Sequence, residues 1–230
     1  MIVRGFRLLA ATAAVSFAFA STVGASAVSA GSILTSARKE IAAQTGVHVV
    51  FTAHSGSTGI TEKIVADVGV SSGSETISEG SADIAIRVTP SFAYLSGNSS
   101  GLTTLFGMGS AAAKKLGSNW QSWKAGTGQY TNLKGDLTMK SVSALLPKAT
   151  GTKVRQTGTV DVLTWVTRAT TTVPKLSNTL SIPAAGQALP ITKTATASGG
   201  TKISTQLSKW GKEVVVQPPP GDRTVPAKSG

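Results

Sequence analysis

Cysteine is absent from this chain of 230 residues. Disulfides, thiolate metal sites and a thiol-borne lipid anchor are therefore all excluded. Aromatic residues make up only 5%, too few for a surface on which nucleic-acid bases stack. Acids are scarce too: ten Asp and Glu stand against 22 Lys and Arg, and they are dispersed. Neither a D-x-D nor an H-E-x-x-H pattern occurs. There are two histidines, His48 and His54, and no cysteine to complete a metal site around them. Serines are plentiful, but no nucleophile elbow is read among them, so no catalytic constellation and no cofactor are expected. Stability must come from a hydrophobic core, and about 200 residues suffice for one good-sized domain.

The N-terminus carries its own pattern. Arg4 and Arg7 precede an uncharged, mostly apolar stretch from Leu8 to Ala20. Small residues follow, including Ala25-Ser26-Ala27 and Val28-Ser29-Ala30. Charge, apolar core and small-residue site, in that order, predict a secretory signal cleaved after Ala27 or Ala30. The alternative is an uncleaved anchor, but the apolar core is shorter than the ~20 residues a spanning helix needs. No later segment is apolar enough to cross a membrane. The chain is thus expected to be secreted, extracellular or wall-associated.

The formal charge is +12, of which two arginines lie in residues 1–30. The remaining bases are scattered as singles and pairs such as Arg38-Lys39 and Lys114-Lys115. They form no stripe that would track a phosphate backbone, so nucleic acid is not an expected partner. General attraction to an anionic envelope surface is one reading of this charge, and solubility alone is the other. A monomer is expected.

Along the chain, Ser32 to Gln44 predicts a helix, with Leu34, Ala37 and Ile41 on one face and Gly46 ending it. Val47, Val49 and Phe51 then alternate with His48, Val50 and Thr52. Ile64, Ala66, Val68 and Val70 repeat the pattern, as do Ile84, Ile86 and Val88. Phe92 and Tyr94 follow Pro90. These are half-buried strands of a meander. Gly101 to Leu116 predicts a helix with Leu102, Leu105, Phe106 and Met108; Trp120–Trp123 a strand; Tyr130, Leu133 and Leu137 a short turn or helix; and Thr138 to Leu146 another helix. After Gly151, strands are predicted around Val160–Val166, Val173–Ile182, Leu189–Ala197, Ile203–Leu207 and Val214–Val216. Pro218-Pro219-Pro220 opens a tail expected to be extended or disordered. The order helix, strands, helices, strands predicts one α+β domain, with a long antiparallel sheet covered on one face by helices.

His48 and His54 have even spacing and would share one face of an unbroken strand, where structural or solvated roles are expected. Asn98-Ser99-Ser100 matches the glycosylation triplet. The apolar helices beside the sheet admit two readings: an ordinary core, or helices that only partly fill a curled sheet and leave an apolar pocket.

The C-terminal third carries a resemblance. Gly186-Gln187-Ala188-Leu189-Pro190 forms a G-x-x-L-P turn, and Gly199-Gly200 a hairpin. Ser208-Lys209-Trp210-Gly211 forms a corner, and Val214-Val215-Val216-Gln217-Pro218-Pro219 an end segment. With Trp120-Gln121-Ser122-Trp123-Lys124, and in this order, they resemble the actinobacterial LppX/LprAFG lipoproteins, which have the LolA-like carrier fold. The resemblance implies a strongly curved antiparallel half-barrel with short helices in its concave face. It also implies a lipid or acyl chain held between sheet and helices. Those lipoproteins carry an anchoring cysteine that this chain lacks.

Three segments are accordingly expected: a signal peptide over 1–30, a half-barrel domain over 31–217 and a Pro-rich flexible tail over 218–230. The candidate cavity residues are Phe51, Ile64, Val68, Ile84, Ile86, Phe92, Leu102, Leu105, Phe106, Met108, Val142, Leu146 and Leu163. Plain core packing is the alternative for each, and a one-residue slip on any strand would invert its faces. The functional reading is an apolar-ligand binding or carrier protein of the envelope. Its alternatives are a surface-binding or sensor module on the same fold, and a secreted hydrolase with a dispersed site.

Overall fold

The computed structural model describes residues 29–169, 174–197 and 199–227. The expected signal segment therefore falls outside the described residues up to 28. Helix α1 (Ala30–Ala42) comes first, its N-terminus capped by the Ser29 hydroxyl, which accepts from the Ser32 amide at 3.1 Å. Five antiparallel strands follow: β1 (Gly46–His54), β2 (Thr61–Gly69), β3 (Gly73–Glu79), β4 (Ala82–Val88) and β5 (Phe92–Gly97). The next elements are α2 (Ser99–Thr104), α3 (Ser110–Leu116), β6 (Trp120–Lys124), α4 (Gly128–Asp136) and α5 (Met139–Ser143). Then come β7 (Lys153–Thr157), β8 (Val160–Thr167), β9 (Leu176–Pro183), β10 (Thr192–Ala197), β11 (Lys202–Ser208) and, after a 3-10 turn, β12 (Thr224–Pro226).

All twelve strands form one open, curved sheet in the order β12-β6-β5-β4-β3-β2-β1-β11-β10-β9-β8-β7. Every pairing is antiparallel except β12 with β6. The protein is thus α+β, a curved antiparallel half-barrel with short helices on one face.

Strand alternation decides which face is inner. One transverse rank runs Leu163–Leu180–Lys193–Thr205–Phe51–Ile64–Ile77–Ile84 through successive partners. The next parallel rank runs Leu207–Val49–Ala66–Glu75–Ile86–Leu95. These side chains share one continuous core with Ile33, Leu34, Ala37 and Ile41 of α1, Leu102 of α2, and Val142 of α5. The helices bury apolar faces that none could bury alone.

The opposite face carries the rank Ser208–His48–Asp67–Ser74–Arg87–Tyr94–Ser122. The chain after β11 crosses over it. Ser72 donates its hydroxyl to the Val214 carbonyl at 2.6 Å, and Arg87 donates to the Gln217 carbonyl at 3.3 Å. Pro219 is buried, and the Ala227 amide reaches the Ser122 carbonyl at 2.9 Å. Gly46 makes this strap possible, because a Cβ there would collide with the Lys212 carbonyl and the Val214 side chain.

Several expectations are corrected. Gly101 to Leu116 is two helices, because Gly107 takes φ +78°, a left-handed backbone that breaks the first. The helix expected over Thr138 to Leu146 is only the five residues of α5. Strands β3 and β7 stand where none was expected. Val214–Val216 is not a strand but part of the strap, and residues 219–227 of the expected tail are tied down through β12.

Candidate functional site

Between the inner sheet face and helices α4 and α5 lies a narrow cleft. It is lined by Val49, Ile64, Ala66, Val68, Glu75, Asp136, Leu137, Ser141, Val142, Leu145 and Thr205. Its free volume is about 20 Å³, room for one water molecule.

The helices that roof it are fixed locally. The Thr127 hydroxyl caps α4, accepting from the Tyr130 amide at 3.3 Å. Tyr130 in turn donates to the carbonyls of Thr89 and Pro90 at 3.1 and 2.9 Å, fastening α4 to the β4–β5 turn. Ser141 donates to the Asp136 and Thr138 carbonyls at 2.8 and 2.7 Å, folding the α4–α5 corner on itself. Gly73 lets that corner touch the sheet, since a Cβ would come within 2.9 Å of the Leu137 side chain.

Into this apolar cleft the structure places two acids. Glu75 is only 7% exposed, and its carboxyl makes no hydrogen bond among the described residues. Burial, then the charges of Asp136 and Glu62, push its pKa from 4.5 up to about 8. Burial also raises Asp136, the last residue of α4, to about 6. On the same inner face, Lys193 is shifted downward by burial, its ammonium 5.6 Å from the Trp165 ring. An isolated carboxyl in apolar surroundings stays protonated because ionising it there is costly.

Of the thirteen candidate cavity residues, Ile64, Val68 and Val142 line the cleft. Ile84, Ile86, Leu102, Leu146 and Leu163 are buried elsewhere in the same core. Phe51, Leu105, Phe106 and Met108 pack partly buried against it, Phe106 with its ring centroid 6.0 Å from that of Trp123. Phe92 is a correction. It alternates with the inward Ala93 and Leu95, lies on the outer side 6.0 Å from the Tyr94 ring, and is 37% exposed. Glu75 and Asp136, which dominate the cleft, were not expected there. Glu75 sits in Gly73-Ser74-Glu75-Thr76-Ile77-Ser78-Glu79, too polar to read as a strand with a buried face.

A wider groove of about 550 Å³ lies on the other side of the sheet, under the strap. His48, Asp67, Ser74, Arg87, Lys209, Lys212 and Glu213 line it together with residues 214–217. His48 Nδ1 lies 2.8 Å from Asp67 Oδ1, within hydrogen-bond reach. Arg87 stacks over Trp120 at 4.7 Å. Lys209 takes φ +54°, a strained backbone for a side chain with a Cβ, held by the neighbouring Gly211 amide bonded to the Gly46 carbonyl. His54 bonds Thr61 at 3.0 Å.

Gly69-Val70-Ser71-Ser72-Gly73 and Gly97-Asn98-Ser99-Ser100-Gly101 both have G-x-S-x-G spacing, contrary to expectation, and the second runs from β5 into α2. Ser99 lacks the strained backbone of a nucleophile elbow, since Lys209 is the non-glycine residue with positive φ among the described residues. Both histidines lie on β1, engaged with Asp67 and Thr61. Asn98 caps α2, accepting from the Gly101 amide at 2.7 Å and donating to the Ser81 carbonyl at 2.8 Å. No group of three or more metal-ligating side chains, and no helix long and apolar enough to cross a membrane, occurs among the described residues.

The class these features define is a curved one-layer sheet with a helical lining. No protein-family model matches the chain, and no curated protein matches it in sequence. Among solved structures it is similar to LprF from Mycobacterium bovis, at 17% identity and a TM-score of 0.47, over 84% of this chain and 97% of that one. It is also similar to the Mycobacterium tuberculosis lipoprotein LppX, at 16% identity and a TM-score of 0.44, over 81% and 99%.

Proposed function

We propose that this protein binds an amphiphilic or apolar ligand between its inner sheet face and helices α4–α5. In this reading it is an exported, monomeric, non-enzymatic component of the cell envelope. The observation that carries it is the unpartnered Glu75 carboxyl, opening onto a cleft otherwise formed largely by aliphatic side chains. A carboxyl on so buried a residue is costly to ionise there, and such a group opening onto a cleft points to a binding position.

The cleft is closed in this conformation. Pockets for small ligands run to ~300–1,000 Å³, so α4 and α5 must move outward to admit one. Both are short, and α5 has no side-chain cap at Thr138. A sixteen-carbon chain offers on the order of 10 kcal/mol gross from burial, against association costs of ~4–15 kcal/mol. Useful affinity therefore requires the opening to be inexpensive.

The test is uptake of the neutral apolar dye N-phenyl-1-naphthylamine by residues 28–230. Native mass spectrometry and organic extraction of the purified protein accompany it. Val142→Trp, which fills the cleft, should abolish dye uptake, and extraction should yield a chain-bearing species. Absence of uptake, or uptake indifferent to Val142→Trp, overturns the reading.

The groove beneath the strap favours a second reading, engagement of anionic envelope polymer through Arg87, Lys209 and Lys212. It ranks second because Asp67 and Glu213 line the same groove, and Arg87 is already occupied with Trp120 and the Gln217 carbonyl. Salt-sensitive adhesion to a polyanion, lost in the Lys209→Gln, Lys212→Gln double variant, would support it.

A further inference from the structure

The whole chain has ten acids against 22 bases, yet Glu75 and Asp136 line one largely apolar cleft. Glu75 stands in a rank whose other members are Leu207, Val49, Ala66, Ile86 and Leu95. Asp136 is placed at the carbonyl end of α4, where the helix dipole disfavours an anion. Both positions are unfavourable for an acid, and a positive charge in the cleft would relieve both.

We infer that the cleft takes the basic nitrogen of a cationic amphiphile, with Glu75 as its counter-ion and Asp136 at its mouth. This rests on the ligand-binding reading above and adds the class of ligand. A carboxylate headgroup would meet the charges of Asp136 and Glu62. A hydroxyl would give Glu75 a hydrogen bond but leave Asp136 uncompensated. An ammonium answers both, through charge-assisted hydrogen bonds.

The proton balance is explicit. The amine enters as its ammonium ion, the Glu75 carboxyl releases its proton to solvent, and an ammonium–carboxylate pair remains. Binding therefore strengthens as pH rises from 6 to 9, while Glu75 and Asp136 lose protons and the amine keeps its own. The polar groups lining the cleft with Glu75 are Asp136 from α4, Ser141 from α5 and Thr205 from β11, and Glu62 of β2 acts on it through its charge. Lys193 lies one strand beyond Thr205 and is turned to Trp165.

The experiment displaces N-phenyl-1-naphthylamine from residues 28–230 with dodecylamine, 1-dodecanol or dodecanoate, each at pH 6 and pH 9. Dodecylamine should displace the dye at about tenfold lower concentration than dodecanol, as a charge-assisted pair allows. Its advantage should grow at pH 9. Glu75→Gln, checked for folding by circular dichroism and read against its own dye affinity, should release the dye equally to dodecylamine and 1-dodecanol, losing the amine preference. Equal displacement by all three ligands, or a preference unchanged in Glu75→Gln or falling with pH, overturns the inference. The cleft would then hold a hydrated carboxyl beside an apolar ligand. Failure of dye uptake itself refutes the underlying reading instead, so the two failures are distinguishable.

Discussion

Glu75 links stability to pH in a direction that can be worked out. Its carboxyl keeps its proton to about pH 8 in the folded chain and loses it near 4.5 when unfolded. Between those values the folded state holds more protons than the unfolded one, so stability falls as pH rises and levels off above about 8. Asp136 adds the same sign over a lower window, from 3.8 to about 6. Thermal melts across pH 4.5–9 should therefore show a declining midpoint. Glu75→Gln should flatten the upper part of that decline and be the more stable protein at pH 8. An unchanged slope in the variant would show that Glu75 is solvated rather than buried. This residue was not legible in the sequence. Its strand has a single aliphatic side chain, Ile77, and the alternation that identifies neighbouring strands is too weak there. By contrast, Ile64, Val68 and Val142 were legible, because their inward direction follows from a local period of two or 3.6 residues.

At the scale of elements, α1 shows how local chemistry sets a boundary. Ser29 both caps the helix and supplies the carbonyl that accepts from the Ile33 amide. A chain starting at Val28 keeps these bonds, whereas one starting at Gly31 loses them with the cap. The shorter form should be less stable by about 1 kcal/mol or more, measured by urea denaturation. The strap is a tertiary element with a sharper test. Gly46→Ala forces the backbone of β1 against the Lys212 carbonyl. A loss of about 1–3 kcal/mol is expected, with faster hydrogen exchange over residues 214–227. Exchange unchanged in that segment would show that the strap does not depend on the close approach. The three consecutive prolines gave this segment the look of a free tail. What holds it are long-range bonds from Ser72, Arg87 and Ser122, and no sequence period announces them.

For the whole molecule, one core runs from α1 through the sheet to Leu207, and it takes in residues from both halves of the sheet. Unfolding should accordingly be a single transition, with near- and far-ultraviolet circular dichroism coinciding. Leu34, fully buried at the centre of α1, should cost about 2–5 kcal/mol when cut to alanine without splitting that transition. Two separated transitions would show that the sheet halves fold independently. The larger architecture was legible as class: helix, strands, helices and strands, with one helical lining. The volume that lining leaves was not, because it depends on how closely α4 and α5 approach the sheet at Gly73 and Gly69.

The sequence by itself determined the α+β class, the inward faces of its alternating strands and the absence of any cysteine chemistry. These follow from composition and from periods only a few residues long. Only the tertiary structure decided that Glu75 on β3 and Asp136 at the end of α4 share one closed cleft, and that residues 212–227 cross the outer face. Such meetings depend on register and packing between segments far apart in the chain, where small differences in side-chain volume outweigh any local preference.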